Sequence, residues 1–115
     1  MDQLHYKEMK QNLDALLING DALKKDIYIF GHCNAAEELA DLLINKGYHV
    51  SAFLDNNPGK QGNHYKRISV IPPGDILDKD MKQMLILIVS RAYEAMARQL
   101  YEMGYSGGLA KLVDY

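Results

Sequence analysis

The chain has no tryptophan, one cysteine, three prolines and no strong excess of either charge, and each shortage closes off a class of function. A lone cysteine forms no internal disulfide, so the fold must rest on packing, and a reducing, cytoplasmic setting is expected. Lys and Arg number 13 against 15 Asp and Glu, a net charge of −2. No basic cluster therefore offers a footprint for a nucleic-acid backbone or an anionic membrane surface, and neither is an expected partner. Long apolar runs are missing as well: the longest, Met84 to Val89, falls far short of the roughly 20 residues that cross a bilayer. The opening MDQLHYKEMK lacks the basic flank and apolar middle of a secretory signal. The three prolines, Pro58, Pro72 and Pro73, all stand in turn-like stretches and interrupt no periodic segment.

What is present is ordinary globular material. Apolar residues make up 48% and charged residues 24% of 115 positions, enough for one core and one domain. From Leu4 to Asn19, Tyr6, Met9, Leu13, Leu16 and Leu17 recur at three- and four-residue intervals and Gly20 follows, the pattern of an amphipathic helix with a C-terminal stop. Residues 26 to 30, DIYIF, read as a buried strand ending at Gly31. The next segment reads as a helix capped at Asn34, with Glu37 completing a capping box, an inward face of Ala35 or Ala36, Leu39, Leu42 and Leu43, and a stop at Gly47.

HVSAFL is a second strand, closed by Asp55 and the turn formers Asn56, Asn57, Pro58 and Gly59. KQGNHYKR reads as a loop, ISVI as a third strand, Gly74 to Lys82 as a short helix and MLILIV as a fourth strand ending at Ser90. A helix from Ala92 to Met103 and a last strand in LAKLVDY complete the chain. NKGYHV and EMGYSG both place Gly-Tyr between a helix and a strand, which points to shared loop chemistry rather than a repeat. This alternation predicts an α/β fold, a mostly parallel five-stranded sheet with helices on both faces, preceded by an N-terminal amphipathic helix. Residues 1–20 are expected to pack as a helix on a single domain of residues 21–115, either free-standing or part of a longer protein.

Ligands of open parallel sheets gather at the carboxyl ends of the strands, near the point where strand order reverses. That rule selects Gly31 to Ala36, Asp55 to Asn57, and Ser90 with Arg91. Against the dinucleotide turn GxGxxA, Gly31 supplies the first glycine and Ala36 the small third residue, while Cys33 replaces the glycine that lets backbone approach a pyrophosphate. Asp55 lies 24 positions after Gly31, near the spacing of a ribose-binding acid, and is equally suited to open the turn DNNPG. Ser90 and Arg91 could contact a phosphate or carboxylate, or serve as a helix cap and a surface arginine. Cys33 beside a helix N-terminus could be a reactive thiolate or a packed, inert residue. His5, His32, His49 and His64 show no metal-ligand spacing, and no metal is expected.

The run IYIFGHCNAAEELADLLINKGYHVSAFLDNNPGKQG with the following ISVIPPGDI resembles small bacterial Rossmann-like modules at the front of nucleotide-sugar enzymes. These are the N-terminal domain of sugar O- and N-acyltransferases and the CoA-binding-like domain of polysaccharide-biosynthesis dehydratases. The resemblance covers roughly residues 26 to 113. It implies a Rossmann-like, NAD(P)-binding type of fold and a nucleotide or nucleotide-sugar ligand, with NAD among the possibilities. The ligand would be held by Gly31, His32, Cys33, Asn34, Ala36, Asp55, Asn56, Asn57, Ser90 and Arg91. His32 and Cys33 depart from the small residues usual there. The expected role is a noncatalytic binding module of cell-surface carbohydrate biosynthesis, partnered by a C-terminal catalytic domain, a separate subunit or further copies of itself; the full-length protein would be a transferase or dehydratase. Two alternatives stand beside it, a ligand-free docking domain that keeps the Rossmann shell and a thiol-dependent enzyme using Cys33.

Overall fold

The computed structural model describes all of residues 1–115. Its elements follow in the order α1 (Gln3–Leu17), β1 (Asp26–Phe30), α2 (Asn34–Asn45), β2 (Val50–Leu54), β3 (His64–Tyr65), β4 (Ile68–Ile71), β5 (Met84–Ile88), α3 (Tyr93–Glu102) and β6 (Gly108–Lys111). The sheet runs β3-β4-β2-β1-β5-β6, and every pairing except β3 with β4 is parallel. The five parallel strands, counted along the chain, thus lie in the order 3-2-1-4-5, the Rossmann-like arrangement, and strand order reverses at β1.

β1 sits at the centre because its sequence can be buried from every side. Ile27, Tyr28, Ile29 and Phe30 are all at most 5% exposed, as a strand covered on both sheet faces requires. Ile27 and Ile29 join Met9 and Leu13 of α1 and Ala36, Leu39, Ala40 and Leu43 of α2 in one core layer. Tyr28 and Phe30 join Ile86, Ile88, Leu100 and Tyr105 in the other, under α3. Each fully buried Ile or Phe contributes about 1.5–3 kcal/mol, more than a typical hydrogen bond, so these two layers set the architecture. No helix is long and apolar enough to cross a membrane.

Both α2 and α3 end in the same way, which accounts for the Gly-Tyr echo. Gly47 (φ 87°) and Gly104 (φ 95°) adopt the left-handed conformation. The next amide then turns back onto the helix, Tyr48 N to Leu43 O and Tyr105 N to Leu100 O, each 2.9 Å. This is the Schellman stop, in which glycine relieves the Cβ penalty of the left-handed region.

Four local expectations are corrected. The sheet has six strands, because the stretch read as a loop contributes β3, which forms a hairpin with β4, the expected ISVI strand. Its two-residue turn, Lys66 (φ 47°) and Arg67 (φ 69°), places both central residues at positive φ, where Asn-Gly is the usual signal. Tyr65 and Lys66 hold the hairpin by donating to the Asp41 carboxylate at 3.0 and 2.8 Å. The expected helix after Pro73 is instead two separate 3-10 turns, Pro73–Ile76 and Met81–Gln83.

The cap of α2 is Cys33, without a side-chain bond, so Asn34 already belongs to the helix and no capping box forms. In β2 the register shifts between the partners of Ile27 and Tyr28. Ser51 is thereby an extra residue, and Val50 and Phe53, three apart, face one layer while Ala52 and Leu54 face the other.

The loop from α3 into β6 is a tight seam. Tyr105 is 3% exposed and donates from its phenol to Gly108 O at 2.6 Å. A Cβ on Gly107 would collide with the Met81 carbonyl and the Tyr105 phenol. Burial, then the charge of nearby Tyr28, push the Tyr105 phenol up to about 12. Because the folded value lies above the ordinary one of about 10, the contribution is complete below about pH 10 and lost as pH rises through about 12. Urea denaturation should show an alkaline loss of stability in that window. Tyr105→Phe should lower stability by about 0.5–1.5 kcal/mol at neutral pH and shrink that alkaline loss.

Candidate functional site

β1 and β2 deliver their carboxyl ends side by side. Gly31, at φ 97°, follows β1 directly and donates to Leu54 O at 2.6 Å. A Cβ at this position would approach the Met96 methyl at 3.2 Å, besides being strained at that φ. The residue is glycine for conformation and for packing under α3. The chain then turns through His32 and Cys33 into α2. Cys33 is extended (φ −146°, ψ 178°), a conformation any residue adopts, and its side chain is exposed. The first intrahelical bond of α2 is Glu37 N to Cys33 O, 3.0 Å. The amides of Asn34, Ala35 and Ala36 precede it and have no intrahelical acceptor. Ala36 is fully buried against the sheet, so a small residue is required there.

Asp55 clasps the two strand ends together. Its Oδ2 accepts from His32 N at 2.9 Å and its Oδ1 from Asn57 N at 2.8 Å. Its own amide donates to Ile71 O at 3.0 Å and its carbonyl accepts from the Gln61 amide at 2.8 Å. Each carboxylate oxygen has a second lone pair free to accept, so turn formation and an additional hydroxyl donor are compatible. Asn57 Oδ1 accepts from Gly59 N at 2.9 Å and closes the turn. Asn56 points elsewhere, exchanging two 2.8 Å bonds with Gln99 on α3.

The His32 ring lies 2.8 Å from Glu37 Oε2 and packs against Phe53 with centroids 4.8 Å apart. The ring is thereby engaged by Glu37 and Phe53. Across the sheet, Ser90 and Arg91 follow β5, the other neighbour of β1. Ser90 Oγ accepts from Ala92 N at 3.0 Å, two residues ahead of the cap of α3, which is Ala92. The Arg91 guanidinium stacks 4.5 Å from the Tyr115 ring centroid. A cleft of about 420 Å³ opens here, lined among others by Ser90, Arg91, Tyr93, Lys111 and Tyr115. No group of three or more His, Cys, Asp or Glu side chains is arranged to hold a metal.

The ten residues singled out in the sequence thus lie on the turns after β1, β2 and β5. Gly31, His32, Cys33, Asp55 and Asn57 form one hydrogen-bonded or contiguous group; Ser90 and Arg91 stand beside it; Asn56 is turned toward α3. Two participants were missed. Lys60 reaches back to donate from Nζ to His32 O at 2.7 Å, and Tyr115 donates to Val89 O at 3.1 Å. Neither carries a local signal, since each meets the site across more than 25 residues of chain.

No family model matches this sequence, and no curated protein does. Among solved structures the fold is similar to that of RSP, a Rex-family repressor, with a TM-score of 0.61 and 18% identity, over 94% of this chain and 54% of that one. The chain spans about half the length of that structure, and the likeness is one of fold.

The clasp makes Asp55 structural whether or not a ligand binds. Asp55→Ala leaves the His32 and Asn57 amides without their acceptor and should cost about 1–3 kcal/mol, read from urea denaturation. Asp55→Asn, which keeps an acceptor oxygen, should lose less.

Proposed function

We propose that this chain is a noncatalytic nucleotide-binding module. The phosphates would lie on the turn from Gly31 to Ala36, where the open amides and positive end of α2 favour an anion. The observation that carries the reading is the coincidence, at the strand-order reversal, of Gly31 at φ 97° with an acid whose carboxylate already reaches that turn, Asp55 Oδ2 on His32 N at 2.9 Å. Asp55 would accept from ribose hydroxyls with its remaining lone pairs. Lys60, held over the same turn, and Arg91 would add positive charge, and Ser90 a hydroxyl. Rossmann-like topology and the similarity in fold to a Rex-family repressor support a dinucleotide such as NAD among the ligands. A nucleotide sugar, and with it a place in cell-surface carbohydrate biosynthesis, rests on the sequence resemblance alone.

A docking role is the second reading. It is favoured by Ile18 and Leu23, 86% and 64% exposed on either side of the turn at Gly20, the kind of apolar surface a partner would cover.

Calorimetric titration with NAD+, ADP, CoA and UDP-sugars separates the two. Binding is expected for at least one, and no heat with any at millimolar concentration removes the nucleotide reading. Cys33→Gly restores the middle glycine of the dinucleotide turn at an extended position that any residue adopts. It should tighten binding roughly 3- to 10-fold, about 0.7–1.4 kcal/mol.

A further inference from the structure

Resting on the nucleotide reading, we propose that Tyr115 is a cover on the nucleotide crevice, a side chain of this chain that must leave its seat before a ligand can enter between the carboxyl ends of β1 and β5. One ladder bond past β6 the chain leaves the sheet. Leu112 donates its amide to Ile88 O at 3.1 Å, Leu112 and Val113 enter the core under α1, and Asp114 N donates to Glu8 Oε2 at 2.7 Å. This path carries Tyr115 back over the strand-order reversal.

Its phenol donates to Val89 O, 3.1 Å away and just past the end of β5. Its ring meets His5 of α1 with centroids 4.7 Å apart, and Arg91 lies on it at 4.5 Å. Burial, followed by the nearby Cys33 thiol, raises its phenol above the ordinary value, which agrees with a ring standing beside the turn that follows β1. Phe30 pairs with Ile88 in the ladder, so Val89 lies beside Gly31, and a phenol seated on Val89 O stands next to the turn after β1. It also holds by cation–π attraction the arginine best placed to reach a phosphate.

The seat is weak enough to open. Tyr115 is 40% exposed, and its holding contacts are one neutral hydrogen bond, one tilted ring contact and one exposed cation–π pair, each of about 1 kcal/mol or less. A cover of that strength leaves a minor open population, and the apparent dissociation constant rises by the inverse of that fraction. Ligand entry would release Arg91 to the phosphate, so displacement of Tyr115 and ligand binding would be coupled.

The test compares the 115-residue chain with Tyr115→Ala and Tyr115→Phe by calorimetry against ADP and NAD+. Leu112 and Val113 stay in the core in both variants, and thermal midpoints check that both fold. Tyr115→Ala is expected to bind roughly tenfold more tightly, the gain for an open fraction of about one tenth. Tyr115→Phe, which keeps the ring under Arg91 and loses only the Val89 bond, should fall between. Equal affinity of the parent chain and Tyr115→Ala, or weaker binding by the variant, overturns the cover while leaving the nucleotide site standing. No binding by any of the three removes site and cover together.

Discussion

The structure depends on a single constraint, the burial of β1 on both faces and along both edges. Ile27 to Phe30 contact α1 and α2 on one side and the α3 layer on the other, while β2 and β5 take the backbone bonds on either edge. Parallel neighbours on both edges require crossover connections, and the crossovers β1–α2–β2 and β5–α3–β6, running outward from the centre in opposite directions, place their helices on opposite faces when both are right-handed. Reversal of strand order at β1 then follows. A crevice between the turns after β1 and β5 is a consequence of that order rather than an addition to it.

What fills the rim of this crevice is polar and local in energy, unlike the core. Asp55, His32, Glu37, Lys60 and Asn57 are joined by bonds of 2.7 to 2.9 Å, and two of these bonds satisfy backbone amides, His32 N and Asn57 N, just past strand ends. Such a network holds the turns after β1 and β2 in register while contributing less than the apolar layers beneath. In the proposed reading the same groups would serve structure and recognition. Asp55 is the clearest case, because the carboxylate that closes the β2 turn also fixes the direction of the turn after β1.

The strands and helices were legible in the sequence wherever period and punctuation agreed. DIYIF, MLILIV and the face Leu39, Leu43 read correctly because burial of whole segments leaves a pattern that local inspection sees. The 3-10 turns, the β3–β4 hairpin and the bulge at Ser51 did not. The hairpin turns on Lys66 and Arg67, residues at positive φ that carry no turn signal, and it is tied down by Tyr65 and Lys66 on Asp41, 24 and 25 positions away. The bulge is invisible because strict alternation puts Val50, Ala52 and Leu54 on one face, and only pairing with β1 shows that one residue has been inserted.

By itself the sequence determined the class of fold, the glycine at the first turn, the small residue at Ala36 and the acid at the end of β2, since each is demanded by backbone geometry within a few residues of itself. Tertiary structure alone decided what those residues face. It put Glu37 on the His32 ring instead of on the helix cap, brought Lys60 over the turn after β1, sent Asn56 to α3 and seated Tyr115 on the carbonyl of Val89. The physical reason is that side-chain partners are chosen by the packing of the elements that carry them: the pairings of Lys60, Asn56 and Tyr115 span 26 or more positions and leave no periodic trace in either segment, and even Glu37, five residues from His32, is directed by how the turn folds back.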